Sequence, residues 1–545
     1  MKRFLLLITA ITLIACEKQP TTDLLITNAT IYTVDNEFTT AEAMVVNDGK
    51  IIATGTTTEL LEKYTALETI DASGKFIYPG LIDAHCHFFG LGQQAQRVDL
   101  VGTSSYDEVI QRVIDFQKEN NRKFIIGRGW DQNDWENKEF PTNEEFNKLF
   151  PDIPVALTRI DGHAMIANQA ALDVAGIDAS TPSDGGAIII KEGKLTGLLV
   201  DNPMELVEAV YPKPSRQDMI DALLLAQQEN VKYGLTTVDD AGLHRDVIEV
   251  IDSLQQAGDL KMKMYVMISN TPENLDYYLD KGIIKTDRLN VRSVKFYADG
   301  ALGSRGAALK EPYHDKHNHY GALLSPIEKI NETAARIAAS DYQMNTHAIG
   351  DSANYVVLKT YEELLRDKTD QRWRIEHAQV VSPDDFQYFN AGNILPSVQP
   401  THATSDMYWA QDRVGSDRIK GAYAYKTLLN QSGILALGTD YPVEQVNPFL
   451  TFYAAVARQD VSGYPENGFL PEQSLTREET LRGMTIWAAY SNFEEEEKGS
   501  LEAGKAADFI ITSKDLMTIP LTEIPDFKVD ATYINAELVY SAANN

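Results

Sequence analysis

Phe76-Ile77-Tyr78-Pro79-Gly80-Leu81-Ile82-Asp83-Ala84-His85-Cys86-His87 is the stretch that decides the fold. It is an apolar run closed by two histidines. A strand side chain repeats every two residues, so His85 and His87 leave the strand on one face, converging as metal ligands do. Cys86 points to the opposite face and reads as buried packing rather than a ligand. A His-x-His step also occurs by chance on surface strands, so the residues downstream must decide its meaning.

Downstream, strand-like runs recur with amphipathic segments between them. After the first, over 80–87, they are Leu235 to Asp239, Met262 to Ile268, Val291 to Tyr297, Gln343 to His347, Trp373 to His377, Ile394 to Val398 and Ile434 to Thr439. Helical periodicity in intervals such as Ile327 to Ser340 and Ser352 to Leu365 makes the pattern repeated strand and helix, which implies parallel pairing. Eight such units close a (β/α)8 TIM-type barrel, whose reacting residues sit at the carboxyl ends of the strands. His85 and His87 end the first strand, Lys295 lies within the fourth, His347 ends the fifth, His377 ends the sixth and Asp440 follows the eighth. Scattered core histidines have no reason to share strand ends, so these residues read as one converging set.

The two ends of the chain read as β. Leu24 to Val34 and Glu42 to Ile52 are strand-like, with Asn47-Asp48-Gly49 suited to a tight reversal. Near the other end, Asp508 to Ile511 and Val529 to Tyr540 are strand-like too. The expected α/β architecture is therefore a barrel over 79–487, with a small β-sandwich built from 23–78 plus 488–545. An inserted subdomain over about 88–233 follows the first barrel strand, since a structureless loop of that length is improbable.

Composition narrows the partners. The 545-residue chain can bury a substantial core, and 43% hydrophobic with 23% charged residues describes an ordinary globular protein. A formal charge of −30 argues against nucleic acid or an anionic membrane face. Lys2 and Arg3 precede an apolar stretch over 4–14, too short to span a bilayer and suited to a secretory signal over 1–15. Leu13-Ile14-Ala15-Cys16 resembles a bacterial lipobox. That resemblance implies acylation of Cys16, a tether over 16–22, and an exported lipoprotein held by its lipid anchor alone, at the outer membrane facing the periplasm or cell surface. With Cys16 lipidated, Cys86 has no partner for a disulfide.

The barrel motifs resemble the metal-dependent amidohydrolase superfamily. They are Pro79 to His87, Lys295-Phe296-Tyr297-Ala298-Asp299-Gly300, Asn345-Thr346-His347-Ala348, Ile375-Glu376-His377-Ala378 and Leu437-Gly438-Thr439-Asp440. Gly127-Arg128-Gly129-Trp130-Asp131, Asp161-Gly162-His163, Asp299 to Arg305 and Gly499 to Asp508 extend the likeness to the amidohydrolase-3 branch that includes N-substituted formamide deformylases. The resemblance implies two divalent metal ions, with zinc suited to the imidazoles. His85 and His87 would hold the more buried ion with Asp440, and His347 and His377 the more exposed one. It also implies that Lys295 carries a carbamate derived from carbon dioxide and bridges the ions about 3.5 to 4 Å apart. A bridging hydroxide would attack the substrate carbonyl, with Asp440 taking its proton and returning it to the departing nitrogen. Deaminases of this superfamily usually lack the fourth-strand lysine and place a glutamate three residues after the fifth-strand histidine, where this chain has Gly350.

The expected activity is hydrolysis of carbon–nitrogen bonds other than peptide bonds in an N-formyl, N-acyl or cyclic amide. Two alternatives stay open: a lactone or phosphoester hydrolase using the same binuclear site, and a non-catalytic metal- or ligand-binding lipoprotein. The inserted subdomain is expected to cover the mouth of the barrel, with Trp130 as a flat apolar wall and Arg159 and His163 as polar substrate contacts. Each also has a bland reading: Trp130 in the core, Arg159 in an ion pair, His163 as packing. His402, after the seventh strand, is a further substrate-binding candidate. A small-molecule amide is the expected partner, and a homodimer is the assembly to look for.

Overall fold

A computed structural model describes residues 19–160, 162–183, 186–390 and 392–543. Their contacts divide into two compact units. The first comprises Met1–Cys86, Glu229–Leu243 and Lys261–Asn545, and the second His87–Gln228 and His244–Leu260.

The centre of the first unit is a nearly closed ring of eight parallel strands, a TIM-type barrel. In ring order they are Leu81–Cys86, Leu235–Leu243, Lys263–Ser269, Leu289–Tyr297, Gln343–Ala348, Trp373–His377, Ile394–Val398 and Ala436–Leu437. Most of their residues are buried, including every residue of the first, sixth and seventh strands, as expected where a parallel sheet is covered on both faces. The eighth strand is shorter than the run 434–439 suggested. Gly438 N still donates to Val398 O of the seventh strand at 3.0 Å, and the next two residues join the last strand to the first: Thr439 N and Oγ1 donate to the two carboxylate oxygens of Asp83 at 3.0 and 2.7 Å, and Asp440 N donates to His85 O at 2.8 Å. Gly438 makes this approach possible, because a Cβ there would lie 2.5 Å from His85 N.

Two further sheets of the first unit face one another. One runs Lys50–Gly55, Ala43–Asn47, Thr21–Thr27 and Thr65–Asp71. The other runs Glu537–Ser541, Ala531–Ile534, Phe509–Thr512, Phe76–Pro79, Thr30–Tyr32 and Thr40–Ala41, joining strands from both ends of the chain. Leu24, Ile26, Met44 and Val46 from the first sheet share one buried cluster with Ile31, Ile77, Phe509 and Ile511 from the second. Two runs that read as single strands are broken by left-handed residues. Asn28, at φ 55°, divides 24–34 between the two sheets, and Asn535 with Ala536, at φ 51° and 62°, turns 529–540 into a hairpin. Asp48 and Gly49 make the tight reversal expected of them, both with positive φ.

The second unit contains a six-stranded mixed sheet, in the order Gly186–Lys191, Lys194–Asp201, Ala164–Ala167, Val155–Arg159, Ile125–Trp130 and Val98–Asp99. One buried cluster gathers Val98, Trp130, Trp135, Phe146 and Leu157, and another Ala156, Met165, Leu172, Leu199 and Met204. No helix among the described residues is long and apolar enough to cross a membrane.

Candidate metal centre

At the carboxyl ends of the barrel strands, ligand atoms of His85, His377 and Asp440 all lie within 4.8 Å of one another. All three residues are buried. His85 Nε2 is 3.7 Å from Asp440 Oδ1, and the His85 and His347 rings stand 4.9 and 4.5 Å from the His377 ring. Lys295 Nζ sits 2.8 Å from His85 Nε2.

Backbone conformation explains how His377 joins the group. Along the sixth strand Arg374 and Glu376 share one side by the two-residue repeat, which would send His377 the other way. His377 and Ala378 instead adopt φ 74° and 40°, and Asp440 adopts 61°. Left-handed conformations at non-glycine residues cost of order 1–3 kcal/mol each and cluster at functional sites. Here they aim two of the three clustered side chains.

Burial sets the charge state. It pulls His85 down to about 4 and His347 down to about 3, the nearby Lys295 adding to both shifts, and it takes His377 well below the usual histidine range. All three imidazoles are therefore neutral near pH 7, the form that binds metal. Burial likewise brings Lys295 down to about 8. His347 Nε2 is buried and makes no hydrogen bond among the described residues. Neutral imidazoles, a carboxylate and a buried nitrogen with its lone pair unused fit a divalent cation of the zinc type.

Several further residues hold these side chains from behind. His85 Nδ1 meets Glu376 Oε2 at 2.5 Å, and His377 Nδ1 meets Gln399 Oε1 at 2.7 Å. Asp299 accepts backbone N–H bonds from Ala308, Ile349 and Gly350 at 2.8 to 3.0 Å, tying the loop after the fourth strand to the loop after the fifth. Position 350 has no room for a side chain, since a Cβ there would lie 2.0 Å from Ala308 O.

The remaining candidates stand in varied surroundings. His87 belongs to the second unit, where it takes the N-cap position of the helix Phe88–Ala95. Trp130, expected as a wall for substrate, is fully buried. Its Nε1 donates to Leu157 O at 2.7 Å and its ring packs 6.0 Å from Trp135, so the wall is corrected to a core residue of the second unit. Arg159 is 9% exposed, pairs with Asp131 at 2.5 Å and donates to Gln132 at 2.8 Å. His163 is exposed and pairs with Asp201 at 2.9 Å. His402 has both ring nitrogens engaged, Nε2 with Asp440 Oδ2 at 3.2 Å and Nδ1 with Glu444 Oε1 at 3.1 Å. The ring thus bridges Asp440 and Glu444. Cys16 lies outside the described residues.

The roles of Glu376, Gln399 and Glu444 were not foreseen. Glu376 stands in the run Ile375-Glu376-His377-Ala378, but strand alternation sets it apart from its neighbour His377. Gln399 carried one signal, its place immediately after the seventh strand.

Compared with known proteins, the sequence matches the Amidohydrolase family over residues 68–540. It is 33% identical over 539 residues to Protein LONG AFTER FAR-RED 3 of Arabidopsis thaliana, covering 95% of this chain and 91% of that one. It is 27% identical over 541 residues to the N-substituted formamide deformylase of Arthrobacter pascens, covering 95% and 98%. Among solved structures, an uncharacterized metal-dependent hydrolase from Pyrococcus furiosus is similar with a TM-score of 0.78 at 29% identity, covering 91% of this chain and 100% of that one.

Proposed function

Because the chain belongs to the amidohydrolase family, and is with it a metal-dependent hydrolase, we propose that it cleaves carbon–nitrogen bonds other than peptide bonds, in N-formyl, N-acyl or cyclic amides. The observation that carries this reading is the buried meeting of His85, His377 and Asp440 beside neutral His347 and the Lys295 amine. The crowding at Gly350 supports it, because a deaminase-type glutamate cannot be accommodated there. The likeness to a formamide deformylase over 95% of the chain supports the bond class.

His85, His347, His377 and Asp440 would hold divalent metal, two zinc ions in the fullest form, and His87 is kept in the ligand set on the sequence pattern alone. Bound zinc would polarise the scissile carbonyl and lower the pKa of a water. Asp440 is the general base and then the general acid: its carboxylate takes the proton of the attacking water and returns it to the departing nitrogen. His402 holds Oδ2 of that carboxylate, leaving Oδ1 on the side of His85. Lys295, as a free amine, adds through Nζ to the carbon of carbon dioxide and loses a proton, giving a carbamate with two oxygens for metal.

A screen of zinc-loaded protein against N-formyl amines, N-acyl amino acids, cyclic amides, lactones and phosphoesters tests the proposal, with metal content measured in parallel. One of the three amide classes is expected to dominate. A preference for lactones or phosphoesters at equal metal loading overturns the bond class, and absence of turnover in fully metallated protein favours a binding role. Native mass analysis showing an unmodified Lys295 in that protein removes the carbamate.

The proposal extends to location: an exported lipoprotein, anchored through Cys16, that meets a small-molecule amide and no nucleic acid. Replacing Cys16 with serine is expected to move the protein from the membrane fraction to the soluble one. Sedimentation of the released form tests for a homodimer.

A further inference from the structure

Behind His85 runs a line of fully buried polar side chains that the reaction itself does not require. Asn492 Nδ2 donates to Asp239 Oδ1 at 2.7 Å, Arg374 Nη1 donates to Asp239 Oδ2 at 2.8 Å, and Arg374 Nε donates to Glu376 Oε1 at 2.6 Å. Glu376 Oε2 then meets His85 Nδ1 at 2.5 Å. All five residues are buried, and Arg374 is held further by Nη2 donating to Ala84 O at 2.7 Å.

The Arg374 guanidinium faces Glu376 as a carboxylate through Oε1, and the other oxygen of that carboxylate touches His85. An ionised carboxylate only accepts hydrogen bonds, so His85 carries its proton on Nδ1 and turns the Nε2 lone pair into the site. Lys295 Nζ, on the Nε2 side at 2.8 Å, agrees with that tautomer. His377 is supported differently, since its Nδ1 partner is the neutral amide of Gln399. The two clustered imidazoles are therefore unequal ligands. An anionic partner raises the basicity of the imidazole it holds, whereas a neutral carbonyl fixes orientation alone.

We propose that Glu376 is the positioning residue that fixes His85 as an Nε2 ligand and makes it the stronger of the two clustered histidines, with Arg374, Asp239 and Asn492 as its buried support. The inference rests on the metal-dependent reading above.

Zinc affinity of the full chain, measured by competition with a chromophoric chelator, tests it together with the melting temperature of each metal-free protein. Glu376→Gln is expected to bind zinc ten- to a hundredfold more weakly than wild type, and Glu376→Asp is expected to recover part of the loss. A Glu376→Gln protein that melts like wild type and binds zinc within threefold of it overturns the proposal. Should Glu376→Gln fail to fold, Glu376→Asp decides alone, because a carboxylate drawn back by one methylene must weaken binding at least threefold if Glu376 acts through His85. A wild-type chain that binds no zinc defeats the metal-dependent reading itself, an outcome distinct from equal binding by wild type and variant.

Discussion

Asp440 Oδ2 accepts a hydrogen bond from His402 Nε2 at 3.2 Å, and the far side of the same ring is held by Glu444 at 3.1 Å. Burial alone would lower the pKa of His402, but its hydrogen bonds to the two carboxylates outweigh that and push it up to about 10. A cationic imidazole between two carboxylates locks the plane of Asp440, the residue proposed to move the proton. His402→Ala is therefore expected to lower kcat by about ten- to a hundredfold, with KM and zinc content little changed. His402→Gln, which still has an amide to donate, should retain more activity. A rise in KM with kcat intact would return His402 to the substrate contact first expected of it.

Trp130 makes a separable prediction. As a buried core residue, Trp130→Ala should destabilise the second unit by about 3–5 kcal/mol, read as a lower melting temperature or earlier proteolysis within 87–228. Trp130→Phe should leave substrate preference unaltered. A changed ranking of amide substrates in Trp130→Phe would restore the wall.

Glu494 ties stability to pH away from the site. Burial alone would raise its carboxyl, but Lys498, at 2.9 Å, and Lys285 hold it below the usual range. A depressed folded-state pKa stabilises the fold fully above the unfolded value of about 4.3, and the contribution disappears as pH falls through the folded value. Denaturant unfolding should find Glu494→Gln about 3–5 kcal/mol less stable at pH 7, with the gap closing in acid. A gap that stays constant down to pH 3 would contradict this account.

Metal removal should be felt in stability as well as turnover. Ligand binding to the native state alone stabilises by about 2.7 kcal/mol at a hundred times Kd. Chelation is expected to abolish activity and lower the melting temperature, and zinc to restore both. In His347→Asn the restoration should need more zinc. Activity that persists after exhaustive chelation would refute a metal-dependent reaction.

The barrel was legible because its strands are buried on both faces and so read as continuous apolar runs, with chemistry-bearing residues at their ends. Strand lengths were less legible. Residues 434–439 look like one strand, yet Thr439 spends its hydrogen bonds on closing the ring through Asp83. Within the site, His85, His377 and Asp440 could be named from strand ends alone. Glu376 could not, because the φ of 74° that brings its neighbour round to the same mouth leaves no mark in the sequence. Trp130 misled because a large aromatic between glycines suits a binding wall and a small core equally well.

Gly350 carries a consequence for substitution at its own position. Its N–H is committed to Asp299, and the space where its first side-chain carbon would stand is filled by the carbonyl of Ala308. A single substitution that supplies an acid at this position therefore deforms the loop that supports His347 before it can donate a proton. Placing an acid at position 350 therefore requires the loops after the fourth and fifth strands, which Asp299 ties to one another, to be rebuilt together.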